Sequence, residues 1–140
     1  MIKQLAHVCF KSDAPEALIE FYGDKLGLPQ KFAMNLDNGT PFGWYFELGE
    51  TTFIEIFDKA GAAQMWGGSM DPLENGEGAR YQHFCIQVKD IEDMRIDLLR
   101  KGVEVTECVV GLDHSIQCWI KDPDGNSIEL MEYTDKSMQF

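Results

Sequence analysis

Apolar and polar positions alternate with a period of two along 5–11, and the alternation returns at 81–88. In the first run Ala6, Val8 and Phe10 share one face, while Leu5, His7, Cys9 and Lys11 share the other. In the second, Phe84, Ile86 and Val88 oppose Tyr81, His83, Cys85 and Gln87. That is the pattern of two half-buried strands, each with its more apolar face against a helix. The period then changes. After the first strand, Leu18, Phe21 and Tyr22 recur at helical spacing, with Asp13 placed as an N-cap, Glu16 three residues on, Pro15 in the first turn and Gly27 as the stop. After the second, Asp90 caps, Ile91, Met94 and Leu98 line one face, and Gly102 ends the helix. Further strand patterns follow at 43–48 and 52–57, then at 115–121 and 127–133. The chain is thus a tandem repeat of strand, helix and two or three strands. We expect an α+β fold in one domain over 1–140: a first module to about 58, a second over about 80–134, and a short C-terminal tail.

The segment of about 59–79 is rich in glycine and acidic residues and carries Met65, Trp66 and Met70. We read it as irregular chain, either a plain link between the modules or a lid whose apolar side chains pack down.

Two carboxylates stand out. In 52–57, Ile54 and Ile56 oppose Phe53, Glu55 and Phe57; in 127–133, Ile128 and Leu130 oppose Ser127, Glu129, Met131 and Tyr133. A carboxylate buried without a partner costs several kcal/mol or shifts its pKa, so Glu55 and Glu129 each need one. His7 precedes Glu55 by 48 residues and His83 precedes Glu129 by 46, so each repeat carries one His and one Glu. Two imidazoles and two carboxylates meeting at a point suit a divalent first-row metal, with room for substrate in an octahedral shell. On 115–121, Gln117 and Trp119 fall on the inward face, and Tyr81, Phe53, Phe57 and Met131 are candidate pocket walls. His114 lies in a loop and reads as an exposed histidine, outside the ligand set.

Composition narrows the partners. Twelve basic against 24 acidic residues give a formal charge of −12, which opposes nucleic acid and anionic membrane surfaces. No apolar run approaches the roughly 20 residues of a membrane span. Cys9, Cys85, Cys108 and Cys118 form no C-x-x-C pair, and we read them as reduced thiols. The start, Met1-Ile2-Lys3-Gln4, shows no signal-peptide architecture, so the expected location is the cytoplasm.

The most specific stretch is 119–130, where the turn Asp122-Pro123-Asp124-Gly125-Asn126 leads into the strand of Glu129. Pro123 presets φ and Gly125 permits a positive one, which sets the register that aims Glu129 inward. With His7 and the helix end Phe21-Tyr22 to Leu26-Gly27-Leu28, this stretch resembles the vicinal oxygen chelate superfamily, the glyoxalase, bleomycin-resistance and extradiol-dioxygenase group. The resemblance covers essentially the whole chain. It implies two βαβββ modules whose mixed and antiparallel sheets cup a metal site, with His7, Glu55, His83 and Glu129 as ligands. That ligand set is closest to glyoxalase I, lactoylglutathione lyase. The activity implied is a metal-dependent lyase or isomerase acting on a small α-oxo or α-hydroxy compound through an enediolate. Glu129 is the first choice of base and Glu55 the second. The metal would be nickel, cobalt or zinc, with manganese or iron next.

Lys11 and Lys59 stand where short bacterial glyoxalase I carries an Arg and an Asn for glutathione; a lysine offers a point charge without the arginine fork. Lys11, Gln117, Trp119 and Tyr81 are the expected substrate contacts. Resemblance also implies a homodimer. Two alternatives stand beside this reading: a non-catalytic small-molecule binding or antibiotic-resistance protein, and an Fe(II) extradiol dioxygenase.

Overall fold

A computed structural model describes residues 4–70 and 83–139. The chain forms two compact units, Met1–Glu74 and Asn75–Phe140, each built on one four-stranded mixed sheet. In the first, β1 (His7–Ser12) leads through α1 (Pro15–Ile19) and a π-helical turn (Glu20–Lys25) to β2 (Gln30–Asn35), β3 (Pro41–Gly49) and β4 (Thr52–Asp58). The strand order is β1-β4-β3-β2, with β1 parallel to β4 and the other pairs antiparallel. The helix α2 (Lys59–Trp66) follows.

The second unit repeats the scheme. It has β5 (Phe84–Gln87), α3 (Ile91–Arg100), β6 (Val109–Val110), β7 (Ile116–Lys121) and β8 (Ser127–Glu132), in the order β5-β8-β7-β6 with β5 parallel to β8. The α+β fold of paired βαβββ modules is therefore present, and among the described residues no helix is long and apolar enough to cross a membrane.

Alternation assigns the faces correctly. Phe10, Ile54 and Ile56 are buried with Leu18, Phe21 and Tyr22 in the first unit. In the second, Ile128, Leu130, Cys118 and Ile120 are buried with Ile91 and Leu98 beneath α3, which packs on β7 and β8. His7, Cys9, Lys11, His83 and Cys85 all lie on the opposite, exposed face of their strands. Gly27 and Gly102 adopt positive φ at the two helix ends, as a left-handed stop requires.

Three local expectations are corrected. Asp13 does not cap α1: the helix starts at Pro15 with Ala14 at the cap position, and Ser12 Oγ accepts the Ala14 N–H at 3.0 Å. The Asp13 carboxylate instead pairs with Lys59 Nζ, which also donates to the Met70 carbonyl at 3.2 Å. Asp90 does hold the cap position of α3, in a left-handed conformation, but its side chain makes no capping bond. Glu132 Oε2 takes the Ile91 N–H at 2.8 Å in its stead. Finally, the start of the 59–79 segment is helical. Asp58 caps α2 by accepting the Gly61 N–H at 2.8 Å. Gly61, which reads as a loop signal, is there because a Cβ would fall into the Phe42 side chain. Trp66 sets its ring edge-on against Phe42 and Phe57 of its own unit, at 5.3 and 5.1 Å between centroids, while Met65 and Met70 stay exposed. Residues 71–79 lie outside the described part.

The core contains a titratable group. Burial pushes the Cys118 thiol from its ordinary 9.0 up to about 12. Its stabilising contribution is full below pH 9 and is lost as pH climbs toward 12, because the unfolded chain gives up its proton first. We expect unfolding free energy under reductant to fall across that window by up to about 1.4 kcal/mol per pH unit for this thiol. Urea melts should show a shallower fall for Cys118→Ala; identical slopes would refute the assignment.

Candidate metal and substrate site

Parallel pairing of β1 with β4 sets Cys9 opposite Glu55, with His7 one same-face position before Cys9. The imidazole thereby overhangs the carboxylate: His7 Nε2 lies 3.4 Å from Glu55 Oε2, with the histidine side chain 44% exposed and the glutamate 6%. The second unit reproduces this arrangement. Cys85 stands opposite Glu129 in the β5–β8 register. His83 Nε2 lies 3.2 Å from Glu129 Oε2, at 38% and 8% exposure. Each unit thus sinks a carboxylate into its sheet and covers it with a solvent-facing imidazole. Among the described residues neither glutamate has a lysine or arginine ion partner.

The Asp122 turn places Glu129. Asp122 Oδ1 accepts the N–H groups of Asp124 and Asn126 at 3.0 and 2.9 Å, and Oδ2 accepts Asn126 Nδ2 at 2.8 Å. Gly125 takes a φ of 83°, where a side chain would be strained. The turn holds Lys121 against Ser127, which carries the register to Trp119 opposite Glu129.

The antiparallel neighbour on the inner strand differs between the units. Opposite Glu55 stands Tyr45, whose ring lies edge-on to His7 at 6.0 Å and stacked on Phe32 at 4.3 Å. Burial, and the Glu55 carboxylate as its hydrogen-bond partner, push the Tyr45 phenol above its usual range. Opposite Glu129 stands Trp119, edge-on to His83 at 4.8 Å. The thiols are matched: burial, then the adjacent Glu55, holds Cys9 up at about 12, and burial with Glu129 does the same for Cys85. Both rest protonated as donors toward the carboxylates.

Of the expected substrate contacts, Trp119 and Gln117 are half-buried on the His83 side of β7, and Lys11 is exposed on the His7 side of β1. Tyr81 lies outside the described residues. Lys59 is buried and held by Asp13 and Met70, so it is engaged inside the fold. His114 is exposed in its loop. Sequence reasoning placed Cys9 and Cys85 on the histidine faces but gave them no role, and it missed Tyr45. Their signal was the strand pairing itself, which puts each beside a glutamate.

Two imidazoles and two carboxylates match the donor preference of a divalent first-row cation. Each unit by itself supplies two of these donors, and among the described residues no group of three or more His, Cys, Asp or Glu that could hold a metal ion is formed.

The family model for the Glyoxalase/Bleomycin resistance protein/Dioxygenase superfamily matches residues 4–130. The uncharacterized protein YraH of Bacillus subtilis (strain 168) is 32% identical over 120 residues, covering 80% of this chain and 84% of YraH. Among solved structures, lactoylglutathione lyase from Agrobacterium tumefaciens superposes with a TM-score of 0.67 at 22% identity, covering 96% of each chain. TnmS3, an antibiotic binding protein from Streptomyces sp. CB03234, superposes at 0.70 with 19% identity, over 95% of this chain and 98% of that one. The repeated module, the His–Glu pair in each half and a family match spanning nearly the whole sequence agree: this chain belongs to the glyoxalase/bleomycin resistance protein/dioxygenase superfamily.

Proposed function

We propose that the chain is a metal-dependent lyase or isomerase of the glyoxalase I type, acting on a small α-oxo or α-hydroxy compound. The observation that carries this is the doubled pair: two buried carboxylates, each with a half-exposed imidazole nitrogen beside it at 3.4 and 3.2 Å. His7, Glu55, His83 and Glu129 would hold the cation, with the two units of one chain, or of two copies in a homodimer, supplying the set. A divalent cation there supplies Lewis-acid polarisation of two neighbouring substrate oxygens.

The protein's own groups divide the remaining work. Glu55 is held by two donors, the Tyr45 hydroxyl and the Cys9 thiol. Glu129 has the Cys85 thiol, and Trp119 in the matching place offers it no hydroxyl. Each added donor ties a carboxylate down, so Glu129, with fewer of them, is the general base that takes a proton from the carbon beside the carbonyl, and Glu55 is the anchored partner. His83 keeps its orientation through the Trp119 ring edge. Trp119 and Gln117 flank Glu129 in the second unit, and Lys11, exposed on the His7 face of β1 in the first, is available to an anionic group on the substrate.

Elemental analysis tests the reading. We expect about one tight divalent ion per complete donor set after purification, nickel, cobalt or zinc first, and at least about tenfold weaker retention in His83→Ala and Glu129→Gln. Equal metal in the wild type and both variants would remove the ligand assignment. A metal-free wild type that binds planar aromatic molecules on the Tyr45–Phe32 stack and Trp119 would instead favour a sequestering protein.

A further inference from the structure

Cys108 and Cys118 are free thiols in the second unit, the first half-buried and the second fully enclosed. On the β6–β7 ladder Val110 pairs with Ile116 and Val109 with Gln117. Continued one step beyond β6, that register brings Cys108 to Cys118, and the two thiols do meet as hydrogen-bond partners. The Gly111 N–H donates to the Ser115 carbonyl at 2.9 Å, and bonded and non-bonded pairs alternate along an antiparallel ladder, so the same register extended to Cys108 would give the two cysteines a non-bonded position. Such positions bring Cα atoms to about 4.5 Å, inside the ~4.4–6.8 Å that a disulfide spans.

The neighbourhood holds them there. In the reduced protein the two thiols are hydrogen-bond partners. Just before Cys108, the Thr106 N–H donates to the Trp119 carbonyl at 3.0 Å, and Thr106 Oγ1 accepts the Trp119 N–H at 2.9 Å. Arg95 of α3 donates through Nε to the Thr106 carbonyl at 2.7 Å and pairs with Glu107. The segment leading into Cys108 is therefore pinned to β7 and α3 together.

We propose that Cys108 and Cys118 are a reversible dithiol–disulfide redox pair, closed across β6 and β7 by exchange with a low-molecular-weight disulfide. Cys108, the accessible one, loses its proton and attacks one sulfur of the small disulfide RSSR. A Cys108–S–S–R mixed disulfide forms, and the expelled thiolate takes up the proton as RSH. The Cys118 sulfur then attacks that of Cys108, closing the protein disulfide and releasing the second RSH. The protein is oxidised by two electrons and loses two hydrogens; RSSR is reduced to two RSH. Burial keeps both thiols protonated at neutral pH, so the exchange is slow there and quickens toward alkaline pH. The bond would fasten a two-residue edge strand to β7, whose other face carries Gln117 and Trp119. This redox pair stands independently of the metal-site reading.

Reduced full-length protein treated with excess glutathione disulfide, quenched with iodoacetamide and cut with trypsin gives the test, because peptide 102–121 contains both cysteines. We expect that peptide two hydrogens lighter and unalkylated, with both alkylation sites restored by dithiothreitol. Cys118→Ala should stop at the glutathione adduct on Cys108, at least about tenfold more abundant than in the wild type. Cys108→Ala, altering the more accessible site, should leave Cys118 free of adduct with an unchanged circular dichroism spectrum. A wild-type peptide that stays doubly alkylated, or that accumulates the adduct as Cys118→Ala does, overturns the proposal. Should Cys118→Ala fail to fold, the wild type and Cys108→Ala decide the matter alone.

Discussion

Glu129→Gln should lower turnover by about a thousandfold, on the order of 4 kcal/mol of transition-state stabilisation, with KM little changed. The substitution keeps the shape of the side chain and one oxygen, so the fold and the His83 contact at the strand should survive. What it removes is the group able to accept a proton. Turnover must be expressed per bound metal, since Glu129 is also an expected ligand. Hemithioacetals of a small α-oxoaldehyde, made with glutathione and with other thiols, are the substrates to try. Glu55→Gln should cost less per bound metal, because Tyr45 and Cys9 already restrain that carboxylate. Tyr45→Phe sharpens the distinction: freeing Glu55 of the hydroxyl should narrow the gap between the two glutamates. If Glu55→Gln proves the more damaging per metal, the division of labour drawn from Tyr45 and Trp119 is reversed.

The second large effect concerns stability. Asp122→Ala should cost about 2–3 kcal/mol, from the loss of three hydrogen bonds to one carboxylate. Two of these, from the Asp124 and Asn126 N–H groups, bend the chain back at the β7–β8 turn, and the third fixes the Asn126 side chain. Asp122 is only 4% exposed, so water replaces these bonds poorly. Asp122→Asn keeps one acceptor oxygen and should recover about half the loss. Because a one-residue slip would turn Glu129 to the opposite face, metal retention should fall along with stability. A change below about 0.5 kcal/mol in urea melts would show that Pro123 and Gly125 suffice for the turn.

Much of this was readable beforehand, for a definable reason. The β1–β4 and β5–β8 pairings run without a register shift, so the faces of His7, Glu55, His83 and Glu129 follow from parity, and duplication supplied each face twice. What escaped depends on contacts between residues distant in sequence. Asp13 has the position of a cap, but Lys59 comes across from α2 to claim its carboxylate. Gly61 reads as a loop residue until Phe42 is seen packed against it. Tyr45 and the two thiols became candidates only when the strand order put them next to glutamates. Parity tells which way a side chain points; strand order decides what it meets.

The parallel neighbours β1 and β4 are the first and last strands of their sheet in chain order, as are β5 and β8. Each imidazole therefore meets its carboxylate only once the first and last strands of its unit have paired. A nascent or clipped half holds the two groups on unconnected stretches and has little to offer a cation. On the proposed ligand assignment, metal capture would double as a checkpoint on strand closure, and the β2–β3 and β6–β7 hairpins, which lie to one side of each pair, can change length without parting it.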